Sequence, residues 1–458
     1  MKVASLLILL SLIFSGCGKA TSDIVSELRA LPDSPLPEGS STSANLIDGA
    51  EQTVTLIYDS SEVSNPTSCS VSDPVGLSIA TPCSCTAGEC TVGLTPSGVG
   101  SASFSYTVRD STTSDTGSAD LTVKNIVPFV STWRVSSPDL TVELPLRSGF
   151  NYDFTVDWGD GNTAEVTSYN DPDIDHTYAV AGDYTVTISG LVEAWYFNFS
   201  GDREKIISIS ELGTVGWKSF ENAFDGCDNL TTVSGGDTSN VTNMSAMFYE
   251  ASLATPHTAN WDTSNVTDMS EMFRRADNAT PDTSNWDTSS VTDMTEMFKD
   301  AYDANPDTTN WDTSNVTSMR EMFDHANVAQ PNTINWDTSN VTDMSGMFRD
   351  AFAANPNTSN WDTSSVTNMN EMFKDATNAD PDMSDWEFTN VILMVGMFEG
   401  VSISTTNYDN LLIQLDATAG SGGFLHAGSS QYTSGGAAAT ARANLISDSW
   451  TINDGGSI

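Results

Sequence analysis

The stretch WDTSNVTDMSEMF, residues 261–273, decides the fold, because it returns almost unchanged every 25 residues. Degenerate copies stand at 236 and 386, and no insertion interrupts the period between 236 and 400. The close copies begin at Trp286, Trp311, Trp336 and Trp361. A fixed period of this length predicts a solenoid, here of seven coils, in which each coil packs on its neighbours.

Each coil carries a pattern that predicts one short helix. Only Asn or Ser stands before the recurring first apolar residue, as Asn265 does before Val266, and both residue types are good helix N-caps. Pro281 is expected to end the helix, and residues 283–286 are expected to form a short strand that leads into the next coil. The apolar positions lie on one helical stripe. They are Val266, Met269, Met272, Phe273 and Ala276.

The recurring methionines raise the alternative of a copper site, because thioethers are soft metal ligands. Fourteen of the sixteen methionines occupy two positions of the coil, and the four histidines do not recur with them. We therefore interpret the methionines as adaptable core residues between stacked coils. The expected structural ladder of one coil consists of Trp261, Val266, Met269, Met272 and Phe273.

An aspartate follows each of these tryptophans and places like charges on adjacent coils. Coils about 4.8 Å apart would set neighbouring carboxylates in repulsion on the order of 1 kcal/mol in water. A hydrogen bond from the following Thr-Ser pair would offset this repulsion, and bound calcium is the alternative. The aspartates are Asp262, Asp287, Asp312, Asp337 and Asp362. An ice- or mineral-binding array is a further alternative for Thr263, Thr288, Thr313, Thr338 and Thr363.

The N-terminus predicts export. Residues 1–16 combine one lysine with a twelve-residue apolar run that is too short to span a bilayer. Ser15-Gly16-Cys17 resembles the lipobox of bacterial lipoproteins, although Phe14 replaces the commoner aliphatic residue. This resemblance implies lipidation of Cys17 and, with Gly18 next, an outer-membrane or cell-surface location. An ordinary secretory signal is the alternative. Residues 17–39 read as a tether.

Four cysteines between 69 and 90 fit an oxidising compartment. An even count of four allows three pairings. Cys83 and Cys85 are too close in sequence to bond each other comfortably, so each is expected to pair with Cys69 or Cys90. A zinc site is the alternative. Cys227 is left over and is expected to be buried.

Two β-rich segments precede the repeats. Alternating runs between Gly, Pro and Ser-rich turns in 40–126 predict an immunoglobulin-like sandwich. In 129–200, FTVDWGDG and HTYAVAGDYTVTISG resemble a polycystic-kidney-disease (PKD) type domain, which implies a second sandwich. Asp157, Asp160 and Asp183 are expected to close tight turns there, with calcium binding as the alternative.

The repeat phrase resembles that of bacterial surface lipoproteins with the BspA-like, 25- to 26-residue variant of leucine-rich repeats. This resemblance covers about 129–458, with caps expected at 201–235 and 401–458. The segment ATPDTSNW departs from the family's more apolar strand. The expected fold is thus mixed α and β, with N-terminal β-sandwich domains followed by an α/β leucine-rich-repeat-like solenoid with terminal caps.

A formal net charge of −44 argues against nucleic acid and anionic lipid surfaces as partners. No nucleophile–base pair, phosphate loop or metal cluster stands out, so the chain is not expected to be an enzyme or to need a cofactor, with calcium alone left open. The resemblance implies surface display with recognition or adhesion. The expected partner is an extracellular protein or glycan, and membrane contact is expected through the lipid anchor only. A passive spacer of the cell envelope is the alternative.

Overall fold

The computed structural model describes residues 31–32, 44–47, 52–56, 63, 65–97, 100–124 and 127–458. The expected signal peptide and Cys17 lie outside these described residues. Within the described part of the chain, no helix is long and apolar enough to cross a membrane.

The first unit contains two sheets around a shared core. One sheet has the strand order β1-β8-β7-β4 with β2 also paired to β8, and the other has the order β3-β6-β5. Phe104 and Tyr106 from the first sheet pack with Val54 and Val92 from the second. The strands are β1 (Leu31–Pro32), β2 (Ala44–Ile47), β3 (Gln52–Leu56), β4 (Ser68–Val75), β5 (Leu77–Thr86), β6 (Glu89–Pro96), β7 (Gly100–Arg109) and β8 (Ser114–Lys124).

The second unit is one five-stranded sheet of order β12-β11-β14-β9-β15 with a two-stranded ribbon, β10-β13. The alternation of buried and exposed residues along Tyr152–Asp157 gives this sheet one apolar face. Val142 of the ribbon is buried in the same core as Phe154 and Val156 of the sheet. The elements are β9 (Phe129–Val135), β10 (Thr141–Glu143), β11 (Tyr152–Asp157), β12 (Thr163–Val166), a 3-10 turn (Pro172–Ile174), β13 (Asp175–Thr177), β14 (Gly182–Val192) and β15 (Ile206–Glu211).

The repeats follow β15 and stack on one another. Single parallel bridges link equivalent positions of successive repeats, from Asn243 to Asp268, Asp293, Ser318, Asp343, Asn368 and Leu393. The closing segment then supplies α1 (Thr405–Thr418), β16 (Phe424–His426), α2 (Gly436–Ser447) and β17 (Thr451–Asn453), with β16 and β17 parallel. We call residues 236–400 the repeat stack.

The predicted α/β leucine-rich-repeat-like solenoid is wrong. The structure is mostly β with few helices, and residues 236–400 contain neither an α-helix nor a multi-residue strand. Glu271 and Arg275 both have a φ of 56°, in the left-handed region, which a right-handed helix cannot contain. The same pair of positive φ values recurs at Glu296 and Asp300, Glu321 and His325, Gly346 and Asp350, and Glu371 and Asp375.

Backbone amides alternate between local turns and the next repeat. Met272 N donates to Met269 O at 3.3 Å within its own turn. Phe273 N donates to Met297 O of the next repeat at 2.9 Å. Arg274 N again donates within its own turn, to Glu271 O, and Arg275 N again donates to the next repeat, to Lys299 O. Since these buried donors are satisfied in both directions, the backbone needs no helix.

The apolar side chains of the repeats form a continuous core. Phe273 and Phe298 stack with ring centroids 5.5 Å apart, and Trp286 and Trp311 stack at 6.5 Å. Each large side chain contributes on the order of 1.5–3 kcal/mol when fully buried. One cluster of buried residues runs from Phe129 to Trp450 and joins the second sheet, the repeats and the closing helices.

Candidate recognition surface

Two sets of side chains recur on the surface of the repeat stack. The polar face consists of the positions equivalent to Asp262, Ser264, Asn265 and Thr267. The charged face consists of the positions equivalent to Glu271, Arg274 and Arg275. Both faces recur at 25-residue intervals. On the polar face a ligand that binds one repeat meets similar groups on the next, whereas on the charged face the sign of the charge differs between repeats.

The aspartates of the polar face close a turn in their own repeat. Asp262 Oδ1 accepts hydrogen bonds from Ser264 N at 3.1 Å and Ser264 Oγ at 2.6 Å. Equivalent bonds from the amide two residues on are made by Asp287, Asp312, Asp337 and Asp362. Bonds from Ser314 lower the pKa of Asp312, and those from Ser364 lower that of Asp362. The hydrogen bonds that were expected to offset the repulsion between the aspartates of adjacent repeats are therefore present.

The Asn and Ser residues predicted as helix caps have another role. Asn265 Nδ2 donates to Ser239 O of the preceding repeat at 2.8 Å. The asparagine before Trp286, which is not one of the predicted caps, makes a similar bond to Ala259 O at 3.2 Å. With no helix to cap, these side chains bond repeat to repeat. The Asn265 position makes the same contact at Ser290, Asn315, Asn340 and Asn390.

The threonines considered for an ice- or mineral-binding array are buried, which excludes them as a surface array. Thr263 is 1% exposed, and its Oγ1 donates to Asp287 O at 2.9 Å. The exposed threonine column is instead the one at Thr267, whose Oγ1 donates to Thr242 O. The buried column continues through Thr288, Thr313, Thr338 and Thr363.

The residues of the predicted structural ladder are all buried, with at most 3% exposure. They are Trp261, Val266, Met269, Met272 and Phe273.

The cysteines of the first unit form two disulfides. They join Cys69 to Cys83, between β4 and β5, and Cys85 to Cys90, between β5 and β6. Cys227 is a buried free thiol, and burial raises its pKa well above the usual range.

The aspartates of the PKD-like motif take part in turns and ion pairs. Asp157 Oδ1 accepts from Gly159 N at 2.9 Å, and Asp160 accepts from Asn162 N at 3.0 Å. Asp183 pairs with an arginine of β9 at 2.7 Å. These contacts match the turn-closing interpretation for the first two aspartates and assign Asp183 to an ion pair.

Ion pairs connect successive repeats along the charged face. Glu271 and Arg274 pair at 2.7 Å within one repeat. Glu296, whose side chain is 7% exposed, lies between Arg274 of the preceding repeat at 2.7 Å and Arg320 of the following one. The opposite charges of adjacent repeats therefore neutralise each other in a chain that is otherwise strongly acidic.

Sequence reasoning missed a cleft where the second sheet meets the first repeats. It has a volume of about 420 Å³ and is lined by residues that include Arg147, Phe150, Lys218 and Asn240. Arg147 lies over the Phe150 ring, 4.8 Å from its centroid. These residues are up to 93 positions apart in the sequence, from 147 to 240, and no motif joins them.

Sequence reasoning also missed a buried carboxyl in the segment before the first repeat. Asp225 is 3% exposed, and its Oδ1 lacks a hydrogen-bond partner among the described residues. Burial, with a contribution from Glu250 and Glu271, raises the pKa of Asp225 to about 7. The only available signal was the likeness of FENAFDGC (220–227) to the repeat itself, which places this segment in the stack.

The repeats are also where the chain resembles a known family. No match is found among curated proteins. The 129–200 segment lies outside the matched residues, so its PKD-like motif stays a sequence-based expectation. Residues 218–335 and 303–411 match the model of a family described as Mycoplasma protein of unknown function, DUF285, and the C-terminal region of the chain is therefore similar to the repeats of that family.

Proposed function

We propose that this chain is a surface-displayed recognition or adhesion protein of the BspA-like type and that its repeat stack binds an extracellular protein or glycan. The similarity of residues 218–411 to a repeat family is compatible with a surface-associated repeat protein. A passive envelope spacer is the alternative, and catalysis is not part of the proposal.

The observation that carries the proposal is the regularity of the polar face. From Thr242 to Thr367, an exposed threonine recurs in every repeat beside the bridges that join the repeats. From Thr267 to Thr367 the threonine hydroxyls donate to a backbone carbonyl of the preceding repeat, so this part of the column is held in place before a ligand arrives. Preorganisation of this kind lowers the entropic cost of binding.

The partner is expected to be extracellular because the N-terminus favours export. We propose that Cys17 is lipidated and anchors the chain to the outer membrane or cell surface. Substitution Cys17→Ser is expected to abolish incorporation of labelled palmitate and to release the protein from the membrane fraction. Undiminished labelling of the variant would contradict the anchor and leave an ordinary secretory signal.

Binding can be tested with the full chain on a glycan array and on immobilised extracellular-matrix proteins. The double variant Thr317→Lys/Thr342→Lys adds two cations to the polar face and is expected to lower affinity for a saturable ligand at least tenfold. Both side chains are exposed, so the fold should persist. Thermal melting by circular dichroism checks this.

The matched control is Thr280→Lys/Gln330→Lys, which adds the same charge at exposed positions outside the polar face. This control is expected to bind within about twofold of the unmodified chain. Equal losses in both variants would indicate a general charge effect and contradict a binding role for the polar face. If no probe binds the unmodified chain saturably, the spacer function is favoured.

A further inference from the structure

One histidine of the charged face has the surroundings of a metal ligand. His325 lies in the repeat 311–335, and its side chain is 42% exposed. Its Nδ1 is 2.8 Å from Asp324 Oδ1, and its Nε2 is 3.4 Å from Asp350 Oδ2 in the next repeat. Oxygen and nitrogen atoms of these three residues all lie within 4.8 Å of one another.

Asp324 is positioned to orient the imidazole. Its side chain is fully buried, and Arg349 binds both of its oxygens, with Nε at 2.9 Å from Oδ1. A carboxylate held in this way accepts a hydrogen bond from Nδ1–H, so the lone pair of the neutral ring is on Nε2. Metal-bound histidines commonly donate their other ring nitrogen to such a carboxylate, which fixes the tautomer and the ring orientation.

The distance on the other side of the ring fits a shared ion. Two ligands that each lie about 2.0–2.1 Å from a tetrahedral zinc ion are about 3.3 Å apart. The 3.4 Å between His325 Nε2 and Asp350 Oδ2 is close to that value, and it is longer than the usual 2.7–3.2 Å of an N–H···O hydrogen bond.

We propose that His325 Nε2 and the Asp350 carboxylate bind a divalent transition-metal ion, with zinc as the probe, and that Asp324 positions the imidazole. Water completes the coordination. An imidazole with a carboxylate suits zinc, whereas magnesium and calcium prefer oxygen ligands alone.

In the described part of the chain, the ion pairs around the imidazole leave Asp350 as the carboxylate without an Arg or Lys partner, since Arg275 pairs with Asp300 at 3.5 Å. Three carboxylates surround the imidazole, since Asp300 Oδ1 lies 3.7 Å from Nδ1 in addition to Asp324 and Asp350. Arg349 and Lys299 face Asp324. Among the described residues, Asp350 ion-pairs with His325 alone.

Zinc binding can be measured by isothermal titration calorimetry on the full, tag-free chain. We expect one saturable zinc ion per chain that excess calcium or magnesium does not displace. His325→Ala and Asp350→Asn are each expected to lower zinc affinity at least tenfold. Asp324→Asn is expected to lower it by about 10–100-fold, the usual loss for a residue that orients a ligand.

His257→Ala is the matched control. His257 is exposed and its Nδ1 contacts only a serine hydroxyl among the contacts of the described chain, so its removal should leave zinc affinity unchanged. In the unmodified chain, zinc is also expected to shift the side-chain ¹⁵N resonance of one histidine of the four, which tests the site without depending on the folding of a variant. No saturable zinc binding, a shift of another histidine, or unchanged affinity in a folded His325→Ala variant would overturn the proposal.

Discussion

A chain that lacks residues 336–360 is expected to fold, with its stability reduced by about one repeat and one interface between repeats. The deletion joins Asn335 to Trp361 and so restores the Asn-Trp junction of the other repeats. Every stacked ring and every forward amide bond finds an equivalent partner. Additivity of repeats and nearest-neighbour interfaces is the behaviour of a one-dimensional stack.

The charged face decides which repeat can be removed at least cost. Removing 336–360 sets Lys374 beside Asp324 in place of Arg349, so the buried Asp324 keeps a cation in the next repeat. Removing 311–335 also keeps the apolar ladder, but it sets Lys299 beside Arg349 and takes Arg320 away from the buried Glu296. We expect this second deletion to melt at a lower temperature, because a buried charge that loses its partner is costly.

A deletion of twelve residues, 336–347, is expected to unfold the repeats. It would align turn residues of one repeat with core residues of the next and leave forward amides without acceptors. Far-UV and near-UV circular dichroism, with thermal melts of all three deletions, checks the series. A cooperative melt near that of the unmodified chain for the twelve-residue deletion would show that stacking in register is not what holds the repeats together.

Substitution Met322→Ala is expected to destabilise the chain by about 2–5 kcal/mol. Met322 is fully buried, and its carbonyl accepts the forward amide of Phe298. Truncating a buried Met removes apolar contacts and leaves a cavity that the stacked neighbours cannot easily fill. Urea unfolding measures the change in the free energy of unfolding.

Val328→Ala is the matched control in the same repeat. Val328 is 43% exposed, so its truncation is expected to change stability by about 0.5 kcal/mol or less. Glu321 does not serve as a control, because its carboxylate pairs with Lys299 and Arg349. Equal effects of Met322→Ala and Val328→Ala would contradict a core role for the methionine column.

The period and the apolar pattern predict which side chains are buried but not the path of the backbone. Val266, Met269 and Met272 are three residues apart, and this spacing fits both a helical stripe and a series of three-residue turns. The two structures differ in whether an amide donates backward within its segment or forward to the next repeat. Side-chain polarity carries no information on that choice.

One signal in the sequence could have favoured turns. Gly346 and Gly396 occupy the position of Glu271, and Gly400 occupies that of Arg275. Glycine adopts a positive φ without strain and weakens a helix interior, so its recurrence at these two positions indicates left-handed residues. The contacts between repeats on the charged face and the cleft beside Arg147 could not be predicted from the sequence, because stacking brings their side chains together.

The alternation of local and forward amides also bears on how such a gene can change over generations. Every repeat donates the same backbone hydrogen bonds to the next repeat. Unequal recombination between repeat-coding segments would therefore lengthen or shorten the protein by whole repeats without breaking this pattern. The proteins that such alleles encode are expected to fold. Selection on them would then act through the positions at which neighbouring repeats differ, such as the charges at Lys299, Asp324 and Arg349.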